Sequence, residues 1–336
     1  MRAYIVDKIG SPFREAEIPQ PRPAAHEVLV QVCASGLNPL DSKIRAGKAE
    51  HAKQPLPATL GIDMAGIVAE VGAGVTKFKP GDEVFGMVGG VGGRQGTLAE
   101  FVAAEAALLA HKPKLLTMKE AAALPLAAIT AWEGLVDRAA VQPGQNVLVH
   151  AGAGGVGYVA TQIALARGAR VFATVSEDKK SVVEEAGATA IGRQTPLENY
   201  LAEHTQGEGF DIVFDTVGGA VLDASFAAVR RYTGHVVSAL GWGTHSLAPL
   251  SFRGATYSGV FTLFPLLSGS QLERHGNILK EVAALADRRQ LKPLLAKETF
   301  RLAALDQAYD AITGGILGKV VVEHESCSHE NDSHKG

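Results

Sequence analysis

A glycine-rich stretch at residues 151–157 constrains the fold of this chain more than any other feature. It reads Ala-Gly-Ala-Gly-Gly-Val-Gly, so that Gly152, Gly154 and Gly157 fit the spacing G-x-G-x-x-G. These glycines permit a sharp turn, a close approach of backbone to a pyrophosphate, and tight packing of a helix on a strand. The pyrophosphate would lie at the helix N-terminus. A glycine-rich turn without a ligand matches the same pattern, so the surrounding sequence must decide.

The segments around this stretch alternate between strand and helix. Apolar runs predict strands at residues 147–149, 171–174, 190–191, 212–214, 236–239 and 257–261. Helical patterns lie between them, at residues 158–167, 179–186, 197–204 and 222–229. Six strands with intervening helices, and the glycine-rich turn after the first, predict a doubly wound parallel sheet of the dinucleotide-binding (Rossmann) type.

The remaining sequence predicts a second, strand-rich domain. Short apolar runs at residues 28–32, 62–71, 83–85 and 98–102 are broken by Gly and Pro, which favours a small irregular β-barrel. Helical segments at 118–124 and 127–136 flank Pro125 and mark the domain junction. After a helix at 271–288, a final strand at 318–322 is expected to return to the first domain. Residues 324–336 are polar and predict a disordered tail, with metal binding by its histidines as the alternative.

Composition excludes several functions. The net charge of -3 provides no basic field for nucleic acid or anionic membranes. No apolar segment has the length of a signal peptide or a membrane span, so we expect a cytoplasmic protein. The two cysteines, Cys33 and Cys327, are too few for a disulfide scaffold, and Cys33 is expected to be a small buried apolar residue.

Five motifs in order resemble the medium-chain dehydrogenase/reductase superfamily, and within it the zinc-free quinone oxidoreductase (ζ-crystallin-like) branch. They are residues 36–41 (GLNPLD), 61–68 (GIDMAGIV), 81–84 (GDEV), the loop 151–157, and 318–321 (GKVV). The resemblance covers residues 1–323. It implies a GroES-like catalytic domain at 1–122 and 264–323, a Rossmann domain at 123–263 that binds NADP, and a homodimer, with 324–336 outside both domains.

The resemblance also bears on the metal. In zinc-dependent relatives a Cys stands at the position of Asn38 and a His at the position of Ile62, and the four cysteines of a structural zinc site are missing here. A catalytic zinc needs about three protein ligands, so we expect none. Without a Lewis acid, a quinone or an α,β-unsaturated carbonyl is the favoured hydride acceptor. The alternatives are a zinc-type alcohol or aldehyde dehydrogenase and a non-catalytic NADPH-binding protein.

The segment after the second Rossmann strand indicates the cofactor. An acidic residue there would bind the ribose 2′-hydroxyl of NADH. Ser176 stands near that position, and Lys180 and Arg193 could bind a 2′-phosphate, so NADPH is favoured over NADH; Glu177 and Asp178 complicate this and could simply start a helix. The full set of expected cofactor-binding residues is Gly152, Ala153, Gly154, Gly155, Val156, Gly157, Thr174, Ser176, Lys180, Arg193, Val217, Leu240, Gly241, Phe261, Thr262, Leu263 and Lys319.

Four residues are candidates for catalysis. Asn38 could donate to a substrate carbonyl or to the nicotinamide ribose, or could form only the turn before Pro39. Asp41 resembles a residue that orients its neighbours. Lys43 could pair with an oxyanion, although a solvated surface lysine is the favoured alternative. Thr130 resembles the residue beside the nicotinamide, or is a helix hydroxyl bonded to backbone.

Overall fold

A computed structural model of the chain describes residues 1–327. The chain divides into two compact units. One comprises Met1–Leu126 and the chain from Leu263 onward, and the other comprises Ala127–Thr262. The sequence-based boundaries were 122/123 and 263/264, so the structure differs from them by four residues and one residue.

The strands are β1 (Arg2–Val6), β2 (Arg14–Glu17), β3 (Glu27–Gly36), β4 (Ala58–Thr59), β5 (Asp63–Val71), β6 (Glu83–Met87), β7 (Phe101–Glu105), β8 (Leu109–His111), β9 (Asn146–Val149), β10 (Arg170–Val175), β11 (Thr189–Gly192), β12 (Ile212–Asp215), β13 (His235–Ser238), β14 (Thr256–Gly259), β15 (Phe300–Arg301) and β16 (Val321–Glu323). The helices are α1 (Pro39–Arg45), α2 (Met118–Ala122), α3 (Pro125–Trp132), α4 (Gly155–Ala166), α5 (Lys180–Glu185), α6 (Leu197–Thr205), α7 (Ala220–Ala228), α8 (Ala248–Ser251), α9 (Phe264–Ser268), α10 (Leu272–Asp287) and α11 (Leu305–Thr313). A π-helical segment, Glu133–Arg138, continues α3.

The first unit is built on a seven-stranded sheet. Its order is β15-β16-β3-β5-β6-β8, with β7 on β3, and β2-β1-β4 form a second, three-stranded sheet. The long strand β3 is buried at eight of its ten residues, because both faces are covered. It pairs along its whole length with β5, and its end at Gly36 lies opposite Asp63. A Cβ on Gly36 would lie within 2.1 Å of the Ala122 carbonyl oxygen, so α2 can approach the strand only at glycine.

The second unit has one six-stranded sheet with the order β11-β10-β9-β12-β13-β14, and all its pairs are parallel. This is the doubly wound order 3-2-1-4-5-6, so the predicted fold class is confirmed. The strand β9 is fully buried, as expected for a central parallel strand. The chain reverses its direction of winding beside β9, and the glycine-rich loop leaves this strand at that point.

Several predicted elements differ from the structure. The sixth parallel strand ends at Gly259, two residues earlier than expected, and the last strand is Val321–Glu323 instead of 318–322. The two helical segments around Pro125 are separate helices, as predicted, but Pro125 itself begins α3, where its missing N–H costs nothing. The helices α1, α8, α9 and α11 were not predicted.

The predicted tail is wrong for residues 324–327, while residues 328–336 lie outside the described part of the chain. Cys327 forms a disulfide with Cys33 of β3, so Cys33 is buried but is not a free apolar residue. His324 is 2% exposed, its backbone N–H donates to the Cys33 carbonyl oxygen, and its Nε2 lies 3.0 Å from Ser35 Oγ. Polarity alone suggested disorder, but these residues pack on the central strand.

Candidate functional site

The glycine-rich loop is fixed to the strands on both sides of β9. The N–H of His150 donates to the Phe214 carbonyl oxygen of β12, and the N–H of Gly152 donates to the Thr174 carbonyl oxygen of β10. Gly154 then precedes the first turn of α4, where its carbonyl oxygen accepts from Tyr158 N–H. The first N–H groups of this twelve-residue helix have no helical partners and can bind an anion.

The glycines of this loop serve two different purposes. A Cβ at Gly157 would lie 2.2 Å from the backbone oxygen of the first loop residue, and one at Gly152 would lie 2.5 Å from a β10 side chain. Packing within the chain therefore requires these two. A Cβ at Gly155 would meet nothing within 4 Å, and one at Gly154 would meet only backbone oxygen at 3.1 Å and a methyl group at 4.0 Å. The exposed Gly154 and Gly155 leave room at the helix N-terminus, which fits the pyrophosphate of a dinucleotide.

The Thr174 side chain holds the start of the loop in place by hydrogen bonds, and this arrangement is called the Thr174 clamp below. Its Oγ1 accepts from Ala151 N–H at 3.2 Å and lies 3.1 Å from His150 Nδ1. The threonine hydroxyl has one proton and two lone pairs, so it can accept from the amide and still hydrogen-bond the imidazole in either tautomer. Burial lowers the pKa of His150 to about 4, although the charge of Asp215 opposes this shift. His150 is therefore neutral near pH 7.

A buried carboxylate shapes the loops after β12 and β13. Asp215 Oδ1 accepts from the N–H groups of Val217 and Gly218, each at 3.0 Å. Its Oδ2 accepts from the Ser238 hydroxyl at 2.7 Å, and Ser238 Oγ accepts in turn from Leu240 N–H at 3.1 Å. Asp215 thus connects two segments of the expected cofactor site. Val217 is 45% exposed on this edge, and Gly241 is exposed next to Leu240.

The groups expected to bind a 2′-phosphate lie around the carboxyl end of β10. Lys180 Nζ forms an ion pair with Glu177 Oε2 at 2.8 Å. The Ser176 side chain hydrogen-bonds Asp178, which is the largest of the effects that lower the pKa of that carboxyl group. Arg193 is exposed, and its N–H donates to the Val175 carbonyl oxygen. The predicted cations are present here, and so are two carboxylates.

The residues expected near the nicotinamide fall in both units. Thr130 and Thr262 are buried, and their Oγ1 atoms are 2.9 Å apart. Phe261 is 38% exposed and stacks edge-to-face with Trp242. Leu263 is buried and belongs to the first unit, because the unit boundary follows Thr262.

In the first unit, Asn38 is the centre of a buried polar cluster. Its Nδ2 donates to the Gly36 carbonyl oxygen at 3.2 Å and to Asp63 Oδ2 at 3.0 Å, and its Oδ1 accepts from Lys319 Nζ. Lys319 Nζ also lies 3.1 Å from Asp63 Oδ2. Asp63 Oδ1 accepts from Leu126 N–H at 2.9 Å. Both amide hydrogens of Asn38 are used, so the expected bond to a substrate carbonyl would require one of these bonds to break.

Asp41 supports the same cluster from α1. Its Oδ2 accepts from Asn38 N–H at 2.9 Å and from the Tyr309 hydroxyl of α11 at 3.0 Å. Complete burial raises the pKa of Asp41 to about 7, against the lowering effect of these two hydrogen bonds and of the Lys319 charge. Burial likewise raises the pKa of Asp63, and the Lys319 ammonium opposes it most strongly. The cluster places one ammonium among two desolvated carboxyl groups.

The other predicted positions of the first unit are less involved. Lys43 is exposed on α1, as its surface alternative requires. Ile62 is completely buried, and it has no metal-binding atom. Within residues 1–327 no group of three or more His, Cys, Asp or Glu side chains could hold a metal ion.

The comparisons with known proteins agree with this architecture. Residues 24–114 match the family described as "Alcohol dehydrogenase GroES-like domain", and residues 155–267 match the family described as "Zinc-binding dehydrogenase". The chain is 34% identical over 319 residues to an NADPH-dependent alkenal/one oxidoreductase, chloroplastic, of Arabidopsis thaliana, covering 92% of this chain and 75% of that protein. This chain belongs to the medium-chain dehydrogenase/reductase superfamily.

Solved structures of this superfamily resemble the chain over nearly its whole length. An alcohol dehydrogenase superfamily protein from Novosphingobium aromaticivorans is 56% identical with a TM-score of 0.95, covering 97% of this chain and all of that one. The quinone oxidoreductase from Coxiella burnetii is 29% identical with a TM-score of 0.80, covering 96% of this chain and 99% of that one. The predicted superfamily is therefore confirmed. In the described part of the chain, no helix is long and apolar enough to cross a membrane.

Sequence reasoning missed several members of the two sites in this medium-chain dehydrogenase/reductase. Asp63 was within a quoted motif, and its position directly after Ile62 was the available signal. Asp215 directly follows the predicted strand 212–214 of a parallel sheet, and a polar residue at that edge is a signal for a site residue. Tyr309 lies 268 residues from its partner Asp41, and no sequence motif indicated that the two side chains meet.

Proposed function

We propose that this chain transfers hydride from NADPH to a quinone or an α,β-unsaturated carbonyl compound, without zinc. The observation that carries the proposal is the glycine-rich loop, whose exposed Gly154 and Gly155 leave room at the N-terminus of α4. The Arabidopsis relative is named for alkenal/one reduction and the Coxiella one for quinone reduction, which supports this class of acceptor.

The chain's own residues fit a nicotinamide dinucleotide. The N–H groups at the start of α4 bind the pyrophosphate, and the Thr174 clamp keeps the loop in place for it. The remainder of the cofactor would be held by residues that follow strands of the parallel sheet, namely Val217, Leu240, Gly241, Phe261 and Thr262. Lys180 and Arg193 attract the 2′-phosphate of NADPH. When bound, NADPH supplies the hydride.

Zinc independence is supported by the atoms at the two positions that carry ligands in zinc-dependent relatives. Ile62 offers only an apolar side chain, and the Asn38 amide is hydrogen-bonded on both its nitrogen and its oxygen. The Lys319 ammonium already lies beside Asn38 and Asp63, so a divalent cation there would meet a like charge. These atoms do not form a zinc site.

In the first unit, we assign Asn38, Asp41 and Asp63 to positioning Lys319. The Asn38 amide oxygen and the Asp63 carboxylate each accept a hydrogen bond from the Lys319 ammonium and so hold it in one orientation. A preorganised cation stabilises the negative charge that develops on the acceptor oxygen, and an activated acceptor spreads this charge by conjugation. Thr130 is proposed to contact the nicotinamide, and Lys43 has no role in this mechanism because it is exposed.

The remaining proposals concern assembly and location. We propose a cytoplasmic homodimer without nucleic-acid or membrane partners. The net charge of -3 disfavours binding to nucleic acid and anionic membranes. The exposed edge strand β14 offers unpaired backbone groups to a second copy of the chain. Size-exclusion chromatography with light scattering would test the dimer.

The enzymatic experiment follows NADPH oxidation with 1,2-naphthoquinone, with an enone, and with a simple aldehyde as the control acceptor. We expect turnover with the first two and unchanged rates after dialysis against EDTA. Failure with every quinone and enone of a broad panel would refute the proposal. So would stoichiometric zinc together with alcohol oxidation that the chelator abolishes.

A further inference from the structure

Two of the groups proposed to bind the 2′-phosphate, Ser176 and Lys180, each have an acidic partner in the turn that follows β10. The Lys180 ammonium is 2.8 Å from the Glu177 carboxylate, and the Ser176 side chain hydrogen-bonds Asp178. The positive charge of Arg193, at the end of β11, also acts on Asp178. The phosphate therefore meets a lysine and a serine that already have acidic partners.

The Glu177 carboxylate lies over the ends of two strands. A Cβ added at Gly192 would lie 2.5 Å from Glu177 Oε1, and Gly192 pairs with Val175, the last residue of β10. Glu177 is thus directed across the carboxyl edge of β10 and β11. An acidic side chain at the end of the second strand is the group that binds a ribose 2′-hydroxyl and repels a 2′-phosphate.

The positive charge around the expected phosphate position exceeds the negative charge only slightly. Three cations face two carboxylates here, for a net charge of +1: Lys179, Lys180 and Arg193 against Glu177 and Asp178. A phosphate monoester carries about -1.5 to -2 near neutral pH. Loss of one carboxylate would double the positive surplus.

We propose that Glu177 is a specificity-determining residue that competes with the 2′-phosphate of NADPH for the Lys180 ammonium. The inference rests on the proposed function, because it assumes that the loop holds a nicotinamide dinucleotide. Its consequence is that the protein binds NADH as well as NADPH and discriminates between them only modestly. Discrimination decreases as salt is added, since Glu177 and Lys180 are both accessible to solvent.

The test measures dissociation constants by calorimetry for NADPH, NADH and the fragment 2′,5′-ADP, with the wild-type protein and Glu177→Gln. We expect the variant to bind NADPH and 2′,5′-ADP about three- to ten-fold more tightly, as for removal of one unit charge near a phosphate in a solvated site. NADH affinity should change less than about two-fold, because Gln can still hydrogen-bond the 2′-hydroxyl. The matched control is Glu184→Gln, which removes the same charge from an exposed position of α5.

A second variant separates competition from simple repulsion. In a Lys180→Met background, Glu177→Gln should gain much less NADPH affinity, because no ammonium remains to be released. An equal gain in both backgrounds, or no gain in the wild-type background, would overturn the inference and leave the proposed function intact. A wild-type protein that binds neither NADPH nor NADH would overturn both.

Discussion

The clearest test of the buried cluster is Lys319→Met, which removes the ammonium and keeps a long apolar stem. Asp63 is completely buried and would lose its counter-ion, while Asn38 Oδ1 would lose its donor. Removing one partner of a buried pair costs about 3–5 kcal/mol. Two donors to Asp63 remain, Leu126 N–H and Asn38 Nδ2, so we expect the lower end, about 3 kcal/mol.

The assay must report on the first unit by itself. Trp132 and Trp242 are the only tryptophans of the chain and both lie in the second unit, so tryptophan fluorescence follows that unit. Hydrogen exchange of β3 and β5 peptides, measured by mass spectrometry, follows the first unit. We expect faster exchange there in Lys319→Met.

Two comparisons make this prediction refutable. Lys119→Met removes a surface pair with Glu323 in the same unit and should cost under about 1 kcal/mol. The double variant Lys319→Met/Asp63→Asn should recover part of the loss, since no unpaired buried charge remains. If Lys319→Met destabilised the first unit no more than Lys119→Met, the view that this ammonium neutralises Asp63 would be wrong.

Three further outcomes are expected. Gly157→Ala should abolish NADPH binding, because its Cβ would lie 2.2 Å from a backbone oxygen, whereas Gly155→Ala should keep the fold; circular dichroism and calorimetry compare them. Reductant or Cys33→Ser should lower the melting temperature by releasing the Cys327 segment, since a disulfide contributes about 2–4 kcal/mol, and an unchanged value would contradict this. Burial lowers the pKa of His324 to about 3 from 6.5, so its contribution to stability is present above pH 6.5 and is lost as pH falls towards 3. The free energy of unfolding, measured by urea titration at several pH values in that range, should depend less on pH in His324→Gln than in the wild-type protein.

The parallel sheet could be predicted because its information is local. Three of its strands, β9, β10 and β12, contain short apolar runs, and each is followed by a helix or loop that leads to another strand of the sheet. The strand end at Gly259 was missed because the apolar residues Val260 and Phe261 follow it, although β14 pairs with β13 only over Thr256–Gly259. A hydrophobic pattern does not show at which residue the hydrogen-bonded pairing of a strand ends.

The fold of the first unit was harder to predict because the residues that contact each other there are distant in sequence. The helix α11 did carry a signal, since Leu305, Ala308, Tyr309 and Ile312 follow helical spacing. No comparable signal joins Cys33 to Cys327 across 294 residues. Two cysteines in a chain of this length are compatible with a pair or with two free thiols, and only the placement of the C-terminal segment on β3 distinguishes them.

The role of Asn38 shows why a motif identifies a site more readily than a mechanism. The residues 36–41 placed Asn38 where zinc-dependent relatives have a ligand, and this suggested a donor for substrate. Its partners Asp63 and Lys319 lie 25 and 281 residues away. Asp63 accepts one amide hydrogen and Lys319 donates to the amide oxygen, while the second amide hydrogen is bonded to the Gly36 carbonyl oxygen. A donor that is fully bonded within the chain is suited to orienting a neighbour, so the available positive charge of this cluster belongs to Lys319. Asn38→Asp tests this assignment. It replaces the amide's donors with a second carboxylate beside Asp63, so it should destabilise the first unit while leaving the affinity for 2′,5′-ADP unchanged, because that fragment binds the other unit.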